Sequence, residues 1–185
     1  MSGLNHTFHS MQLKSEIESK YPGLYKTLSK LKSFVKNNET VMKYFTKLSG
    51  FTKAETLKLL SVKNLANIVK VGGISDWGQF FGDKSDSTFD PTHIHIRNDV
   101  AKSLDRGGYC DVFGTKVGLY GSSFFAAVTV LHELVHYGRY WNSIPSNYSQ
   151  GNISNYEVGQ VFERWSFGSI QTYGSSTNSA TRNGW

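Results

Sequence analysis

Two histidines and a glutamate within five residues form the pattern H-E-x-x-H, at His132, Glu133 and His136. The largely apolar run at 125–131 before them predicts a helix. Because residues four apart lie on one face of a helix, both histidines can bind a single metal ion. Glu133 stands next to that face, within reach of a water molecule on the metal. The pattern predicts one zinc ion and a hydrolase in which this glutamate is the general base.

A catalytic zinc site needs a third protein ligand besides the two histidines. Metzincins place a histidine six residues after the second one, but here that position is Asn142, and no histidine follows His136. The acidic residues that follow Glu133 are Glu157 and Glu163. The sequence therefore predicts a His₂Glu site of the kind found in thermolysin-like enzymes.

Glu157 and Glu163 both lie in a segment predicted to be helical, 156–167. On a regular helix, residues six apart point about 120° from each other. We therefore expect one glutamate to bind the metal and the other to support it, for instance by accepting the free N–H of a ligand histidine. The surroundings of Glu157 resemble glutamate-ligand helices in which a small residue, here Gly159, allows close packing against the metal helix. Glu157 is the predicted ligand, and an exchange of roles with Glu163 is the alternative.

Hydrolysis of an amide also needs a donor to the developing oxyanion, in addition to the metal. Several tyrosines near the ligands in the sequence can donate, and the sequence leaves the choice among them open. They are Tyr140, Tyr148 and Tyr156, with Tyr137 and Arg139 as further candidates.

His93 and His95 alternate with Ile94 and Ile96, which predicts a strand whose isoleucines face the core. The two histidines share the other face, where a second metal site is conceivable. In zincins, however, the strand before the metal helix is often the edge strand along which a substrate lies. We therefore expect these histidines to be exposed or to face the substrate.

The first 70 residues predict a Lys-rich helical lobe. Apolar residues recur at helical spacing in successive segments, Gly50 closes the second segment, and a capping box at 52–55 opens the third. The apolar stripes are Leu24, Leu28, Leu31 and Val35; Val41, Phe45 and Leu48; and Leu57 and Leu60, continued by Leu65, Ile68 and Val69 as far as Gly72.

Residues 72–91 are rich in Gly, Asp and Ser and predict a linker between two lobes. After the strand at 93–97, Asn98 and Asp99 are expected to cap a short helix, and a further strand is expected around Val112–Phe113 or Lys116–Val117.

Ser122 and Ser123 are predicted to cap the metal helix. A polar loop is expected from 142 to 155, and the segment 168–185, rich in Gly, Ser, Thr and Asn, is expected to be a flexible, irregular tail. The predicted architecture is a single α+β domain of zincin-like fold, in which a small sheet packs on the metal helix. It comprises a helical lobe at about 10–71, a catalytic lobe at about 88–167 and the tail.

Charge is unevenly distributed along the chain. Residues 1–70 hold 12 Lys and 4 Glu, a balance of +8, whereas residues 71–185 have a balance of −2. The helical lobe contains no arginine and no interleaving of aromatic and basic residues, as nucleic-acid readers would show. Solvated helix faces are therefore favoured, and a specific acidic partner such as nucleic acid or anionic lipid is the alternative. The single cysteine, Cys110, excludes a disulfide within the chain and a thiolate zinc cage.

The segments Val130–Gly138 and Tyr156–Glu163 resemble the zincin-like metallopeptidase toxin domains found at the C-termini of bacterial polymorphic toxins and secretion-system effectors. Residues 21–24 and 48–52 resemble the helical leader of those domains, and 94–100 resembles the strand before their metal helix. The resemblance implies a zinc peptidase that is delivered into a competing cell and neutralised by a cognate immunity protein. Its catalytic residues carry over to His132, Glu133, His136 and either Glu157 or Glu163.

The sequence thus predicts an antibacterial zinc metallopeptidase that acts on a protein or peptide substrate. One alternative is a zinc amidase that acts on a cell-wall or other non-protein amide; another is a binding module with a vestigial metal site. No stretch is apolar enough for a membrane span, and the N-terminus lacks the profile of a signal peptide. We expect delivery by a specialised secretion route, or otherwise a cytoplasmic location.

Overall fold

The computed structural model describes residues 17–85, 87–110, 116–150 and 153–185. These residues combine helices with small sheets, in agreement with the predicted α+β class. The helices are α1 (Pro22–Asn37), α2 (Glu39–Ser49), α3 (Lys53–Leu59), α4 (Val62–Ile68), α5 (Asn98–Asp105), α6 (Leu119–Trp141), α7 (Val158–Phe167) and α8 (Tyr173–Asn183). The strands are β1 (Val69–Gly72), β2 (Gly78–Phe81), β3 (Asp90–Arg97), β4 (Gly108–Cys110), β5 (Lys116–Gly118), β6 (Asn147–Gln150) and β7 (Ile153–Glu157).

The helices predicted for the N-terminal part are confirmed. Gly50 ends α2 in the left-handed region, with a φ of 81°, and its backbone N–H is bonded to Thr46. At the start of α3, the side chains of Thr52 and Glu55 form the predicted capping box. The apolar stripe of α1 is completely buried, at Leu24, Leu28, Leu31 and Val35.

A three-stranded sheet has the order β1-β3-β2, with β3 parallel to β1 and antiparallel to β2. Ile94 and Ile96 are fully buried, as predicted. The expectation that this strand lies at the sheet edge is wrong, because β3 is central and β2 occupies the edge. Strand β2 lies within the predicted linker 72–91, and Val69, expected to extend a helix, begins β1. Both strands have only four residues, too few for a recognisable alternation.

Helix α6 is the central element of the core, and α1, α2, α7 and α8 all pack against it. It begins at Leu119 with Gly118 as its N-cap, so the prediction that Ser122 and Ser123 form the cap is wrong. The hydroxyl of Ser122 instead donates to Val117 O at 3.0 Å and accepts from Tyr109 N at 2.9 Å. These bonds hold the β4–β5 hairpin against the helix.

No helix within the part of the chain that the structure describes is both long and apolar enough to cross a membrane.

Two further predicted elements are confirmed: the helix predicted after Asn98 is α5, and the predicted strand at Lys116–Val117 is β5. The other strand position considered, Val112–Phe113, lies outside the described residues.

The segment 142–155, predicted to be a loop, contributes to an antiparallel hairpin of β6 and β7. Tyr148 pairs with Tyr156 across it, and β7 continues to Glu157. Helix α7 therefore begins at Val158, two residues after the predicted start at Tyr156.

The C-terminal segment 168–185 contains α8 where an irregular tail is expected. A capping box stabilises the start of this helix, and its inner face packs on α6. Trp185 contacts Phe34 and Phe124 edge-on, and its Nε1 donates to Ser123 Oγ at 2.7 Å. Tertiary packing thus outweighs the poor helix propensity of Gly, Ser, Thr and Asn.

Candidate metal centre

Helix α6 presents His132 and His136 one turn apart on the side that faces the β6–β7 hairpin and α7. Their ring centroids are 5.4 Å apart, and about a fifth of each side chain is exposed, 18% and 22%. The Nε2 atoms of both rings point to one carboxylate, that of Glu157. Its oxygens lie 3.3 Å from His132 Nε2 and 2.5 Å from His136 Nε2.

One potential ligand atom from each of these three residues lies within 4.8 Å of the others. Within the described ranges this is the one group of three or more His, Cys, Asp or Glu residues that is close enough to hold a metal ion. Two imidazole nitrogens and a carboxylate are the donor set of a catalytic zinc site with one position left for water. The residues therefore fit the predicted ion.

Glu157 is held by the backbone at the start of α7. As the N-cap residue, it accepts hydrogen bonds from Gly159 N and Gln160 N, each at 2.6 Å. Because Glu157 ends a strand and precedes the helix, the helical angle between the two glutamates does not apply to it. The position instead places a carboxylate at the positive end of a helix dipole, where a negative charge is stabilised.

Gly159 lies against the His132 ring. A β-carbon at this position would overlap the Cδ2, Nε2 and Cε1 atoms of the ring. A glycine is required two residues after Glu157, because any side chain there would push α7 away from α6.

Glu163 contacts His132 from the other side. Its Oε1 lies 2.6 Å from His132 Nδ1, and its Oε2 accepts from Gln171 N at 2.5 Å. The side chain is buried, with 8% exposed. A carboxylate behind a ligand histidine fixes the ring orientation and the tautomer, which leaves Nε2 available to a metal.

Glu133 lies in the wall of the same site. Its Oε1 is 3.9 Å from His132 Nε2, and burial raises the pKa of its carboxyl. Strand β2 passes so close that a β-carbon on Gly78 would lie 2.9 Å from Glu133 Cγ and 2.6 Å from Thr129 Cγ2. The sheet edge thus covers Glu133 and reduces its contact with bulk water.

The pKa values of His132 and Glu157 are shifted because histidines and glutamates lie close together in a buried site. Burial disfavours the charged form of His132, but the hydrogen bond with Glu163 and the charges of the surrounding glutamates raise its pKa to about 9. Burial likewise opposes ionisation of Glu157, yet its bond with His136 and the charges of both histidines lower its pKa to about 2. The carboxylate is therefore ionised and ready to bind a cation at neutral pH.

A cleft of about 460 Å³ opens in front of these side chains, between α6, β2 and the two ends of α7. Its lining includes Trp77 and Gly78, which lie in the segment predicted to be a linker. The signal that could have indicated them is a large aromatic residue followed by glycine, close to an aromatic pair at Phe80 and Phe81. The site residues predicted from the sequence that line this cleft are His132, Glu133, His136, Glu157 and Glu163.

The tyrosines proposed as oxyanion donors are not among the described residues that line the cleft. Tyr148 is buried against Trp165, with ring centroids 5.2 Å apart, and Tyr156 is 53% exposed on the hairpin. Tyr140 packs on Phe80 and lines an adjoining cavity that also contacts His136.

The two further oxyanion candidates, Tyr137 and Arg139, have structural contacts. Tyr137 packs edge-on against Phe80, with ring centroids 5.9 Å apart. The guanidinium of Arg139 donates to the backbone carbonyls of Leu48, Pro145 and Asn147. It therefore secures the loop after α6.

His93 and His95 do not face the cleft. Both rings are about four-fifths buried. His93 Nδ1 lies 3.0 Å and His95 Nε2 lies 3.3 Å from a carboxylate oxygen of Asp90. The same carboxylate accepts a hydrogen bond from Lys70 Nζ at 3.1 Å. His95 packs edge-on against Phe81. The expectation that these histidines are exposed or face a substrate is not met, because they belong to a polar cluster on the central strand.

The sequence profile of the family described as metallopeptidase toxin 3 matches residues 17–168. The chain belongs to this family. The predicted membership of a metallopeptidase toxin family is thereby confirmed, and with it a peptidase that uses a metal. No curated protein and no solved structure gives a significant match to the chain.

Proposed function

We propose that this family member is a zinc-dependent peptidase in which His132, His136 and Glu157 hold the ion and Glu133 is the general base. The observation that carries the proposal is the convergence of Glu157 on both Nε2 atoms, with the buried Glu133 carboxyl beside them. This arrangement has the layout expected of a zincin of the His₂Glu type.

A zinc ion bound here supplies Lewis acidity, which polarises a carbonyl group and lowers the pKa of water. Glu133 accepts the proton of the attacking water at a carboxylate oxygen and returns it to the leaving amine. Its raised pKa makes it a better proton acceptor, because burial favours the neutral acid. Glu163 keeps the His132 ring in place while this exchange proceeds.

The decisive experiment compares the zinc-loaded parent with Glu133→Gln. The variant is expected to retain zinc, and its cleavage rate is expected to fall by about 100-fold or more, because general base catalysis accelerates a reaction by roughly that factor. Cleavage is measured by mass spectrometry on a panel of unfolded proteins, with purified cell-wall material as a second substrate class. The matched control is Glu55→Gln, since a capping box accepts either residue at this position.

Equal cleavage by Glu133→Gln and the parent would contradict the mechanism. Digestion of cell-wall material without cleavage of any protein would contradict the substrate class. Removal of zinc by a chelator is expected to stop cleavage, and re-addition of zinc is expected to restore it.

We propose further that the domain acts inside a competing bacterial cell and that a cognate immunity protein neutralises it. The family description supports a toxin, and a toxin that cleaves proteins requires delivery to its target cell. Expression of the parent in bacterial cytoplasm is expected to reduce colony formation, while Glu133→Gln is tolerated at the same protein level. Equal toxicity of both would contradict a role of hydrolysis in the killing.

A further inference from the structure

Trp77 is a solvent-accessible aromatic residue held in a fixed position at one end of the cleft. Its side chain is 37% exposed, yet the Arg97 guanidinium lies 3.6 Å from the ring centroid. Phe125, Tyr109 and Tyr173 contact the ring edge-on, with centroid distances of 5.6, 6.0 and 5.3 Å. An aromatic surface that is both exposed and immobilised binds apolar groups with little loss of entropy.

Helix α6 supplies the next wall of this end of the cleft. Phe125 and Thr129 precede His132 and His136 on the same face, at helical spacing, and all four line the cleft. The hydroxyl of Thr129 donates to Phe125 O at 3.0 Å, while its methyl group faces Gly78. The hydroxyl proton of Thr129 is therefore engaged within α6, and its methyl group lies on the side of the helix that faces β2.

The third wall is formed by the segment that follows α7, after residue 168. The family match also ends at residue 168. Ile170 lines the cleft, and the next residue, Gln171, is anchored through its N–H to Glu163. Two residues later, Tyr173 stacks on Tyr109 with ring centroids 3.7 Å apart. The wall is thus tied both to the metal centre and to the aromatic residues around Trp77.

The distance from these walls to the reactive side chains is one that a few residues of an extended peptide substrate can span. Along α6, Thr129 and Phe125 lie about 6 and 12 Å from Glu133, at a rise of about 1.5 Å per residue. Successive residues of an extended peptide are about 3.3 Å apart. A side chain about two to four residues from the scissile bond would therefore reach these walls.

The charges around the cleft are unfavourable to an acidic side chain. No lysine or arginine is among the described residues that line it, and Asp76 stands exposed at the end formed by Trp77. The Arg97 guanidinium on the Trp77 ring is paired with the carboxylate of Asp99, at 2.6 Å, which offsets its positive charge. An apolar side chain meets no such repulsion, and its burial against the aromatic rings is favourable.

We propose that Trp77, Phe125, Thr129 and Ile170 form a specificity pocket that accepts a large apolar side chain of the peptide substrate, close to the scissile bond. The inference rests on the proposed peptidase function and adds a substrate preference to it. It also makes the segment after residue 168 part of the substrate site.

The test is a cleavage profile of the zinc-loaded protein on a peptide library, read by mass spectrometry. The parent is expected to favour Phe, Leu or Met over Asp at one subsite by about tenfold or more, as a hydrophobic pocket allows. Both Trp77→Ala and Ile170→Ala are expected to lower this preference by about tenfold. Trp141→Ala is the control, because this tryptophan is 52% exposed and is not among the described residues that line the cleft.

A second measurement separates the pocket from catalysis and from misfolding. Fluorescently labelled peptides with Phe or Asp at the selected position are titrated into zinc-loaded Glu133→Gln, and into the same variant carrying Ile170→Lys. The added lysine is expected to reverse the preference from Phe to Asp, which a merely unfolded variant would not do. If the library yields no cleavage product, the binding titration uses peptides of known sequence, because binding does not require turnover.

The outcomes distinguish the two proposals. Cleavage without an apolar preference, or a preference that Trp77→Ala and Ile170→Ala leave unchanged, would overturn the pocket but retain the peptidase. Selective binding by Glu133→Gln without any cleavage by the parent would support the pocket and overturn the proposed peptidase.

Discussion

At the scale of single residues, the His132 ring is held between two carboxylates, Glu163 at Nδ1 and Glu157 at Nε2. The sequence predicts Glu157 as the ligand with Glu163 as the alternative, and the surroundings of the two glutamates differ in the same sense. The Glu163 carboxylate is occupied by His132 and by a backbone N–H, whereas the Glu157 oxygens lie beside the Nε2 atoms of both His132 and His136. The distances therefore favour Glu157 as the metal ligand.

Substitution of each glutamate tests this division of roles. Glu157→Ala removes a direct donor and is expected to abolish stoichiometric zinc binding. Glu163→Ala leaves the three donors in place and is expected to weaken zinc binding by about 10- to 100-fold, because only the support of His132 is lost. Zinc affinity is measured by competition with a chromophoric chelator. A larger loss for Glu163→Ala than for Glu157→Ala would mean that the roles are exchanged.

At the scale of elements, local signals explain which predictions succeeded. The stripe of α1, the glycine at the end of α2 and the capping box of α3 all act within a few residues, so the sequence reveals them directly. Strand β2 depends on pairing with β3, and α8 depends on packing against α6. Such contacts between distant segments leave little trace in a local pattern.

The same reasoning applies to the candidate site. The two histidines share a helical face because of their spacing, which the sequence contains. The position of Glu157 comes instead from the junction between β7 and α7, and the predicted helix missed that junction. Trp77 was missed because its role depends on rings contributed by three separate segments of the chain.

The close approach of α7 to α6 predicts the effect of a single methyl group. Gly159→Ala is expected to displace α7 or the His132 ring, to weaken zinc binding and to lower the free energy of unfolding by about 1–3 kcal/mol, the usual cost of overpacking. Gly174→Ala is the control, because its β-carbon would lie 3.8 Å from the nearest atom, in Thr172. Urea unfolding and zinc titration of both variants measure the difference. A Gly159→Ala protein as stable and as zinc-competent as the control would refute the close approach.

At the scale of the whole molecule, Trp185 connects the segment after α8 to α1 and to α6. Trp185 packs against Phe34 of α1 and Phe124 of α6, and the Lys30 ammonium lies 5.3 Å from its ring centroid. The Lys-rich helices and α8 therefore share one core with α6.

Removal of this aromatic side chain is expected to destabilise the whole fold. Trp185→Ala should lower the free energy of unfolding by about 2–4 kcal/mol, somewhat less than the loss of a fully buried tryptophan, because the ring is half-buried. Trp141→Ala, which removes a more exposed ring, should cost less than about 1 kcal/mol. Chemical denaturation followed by circular dichroism gives both values. Equal losses would show that the contacts of Trp185 with α1 and α6 do not stabilise the fold.

The proposed zinc donors come from two segments that are joined through the β6–β7 hairpin, one on α6 and one at the junction of β7 and α7. An unfolded chain has the two histidines but cannot bring the carboxylate to them. Hydrolytic capacity and the folded state are thus acquired together. A chain that crosses a membrane in unfolded form would be harmless in transit and would gain its activity only where it folds and finds zinc.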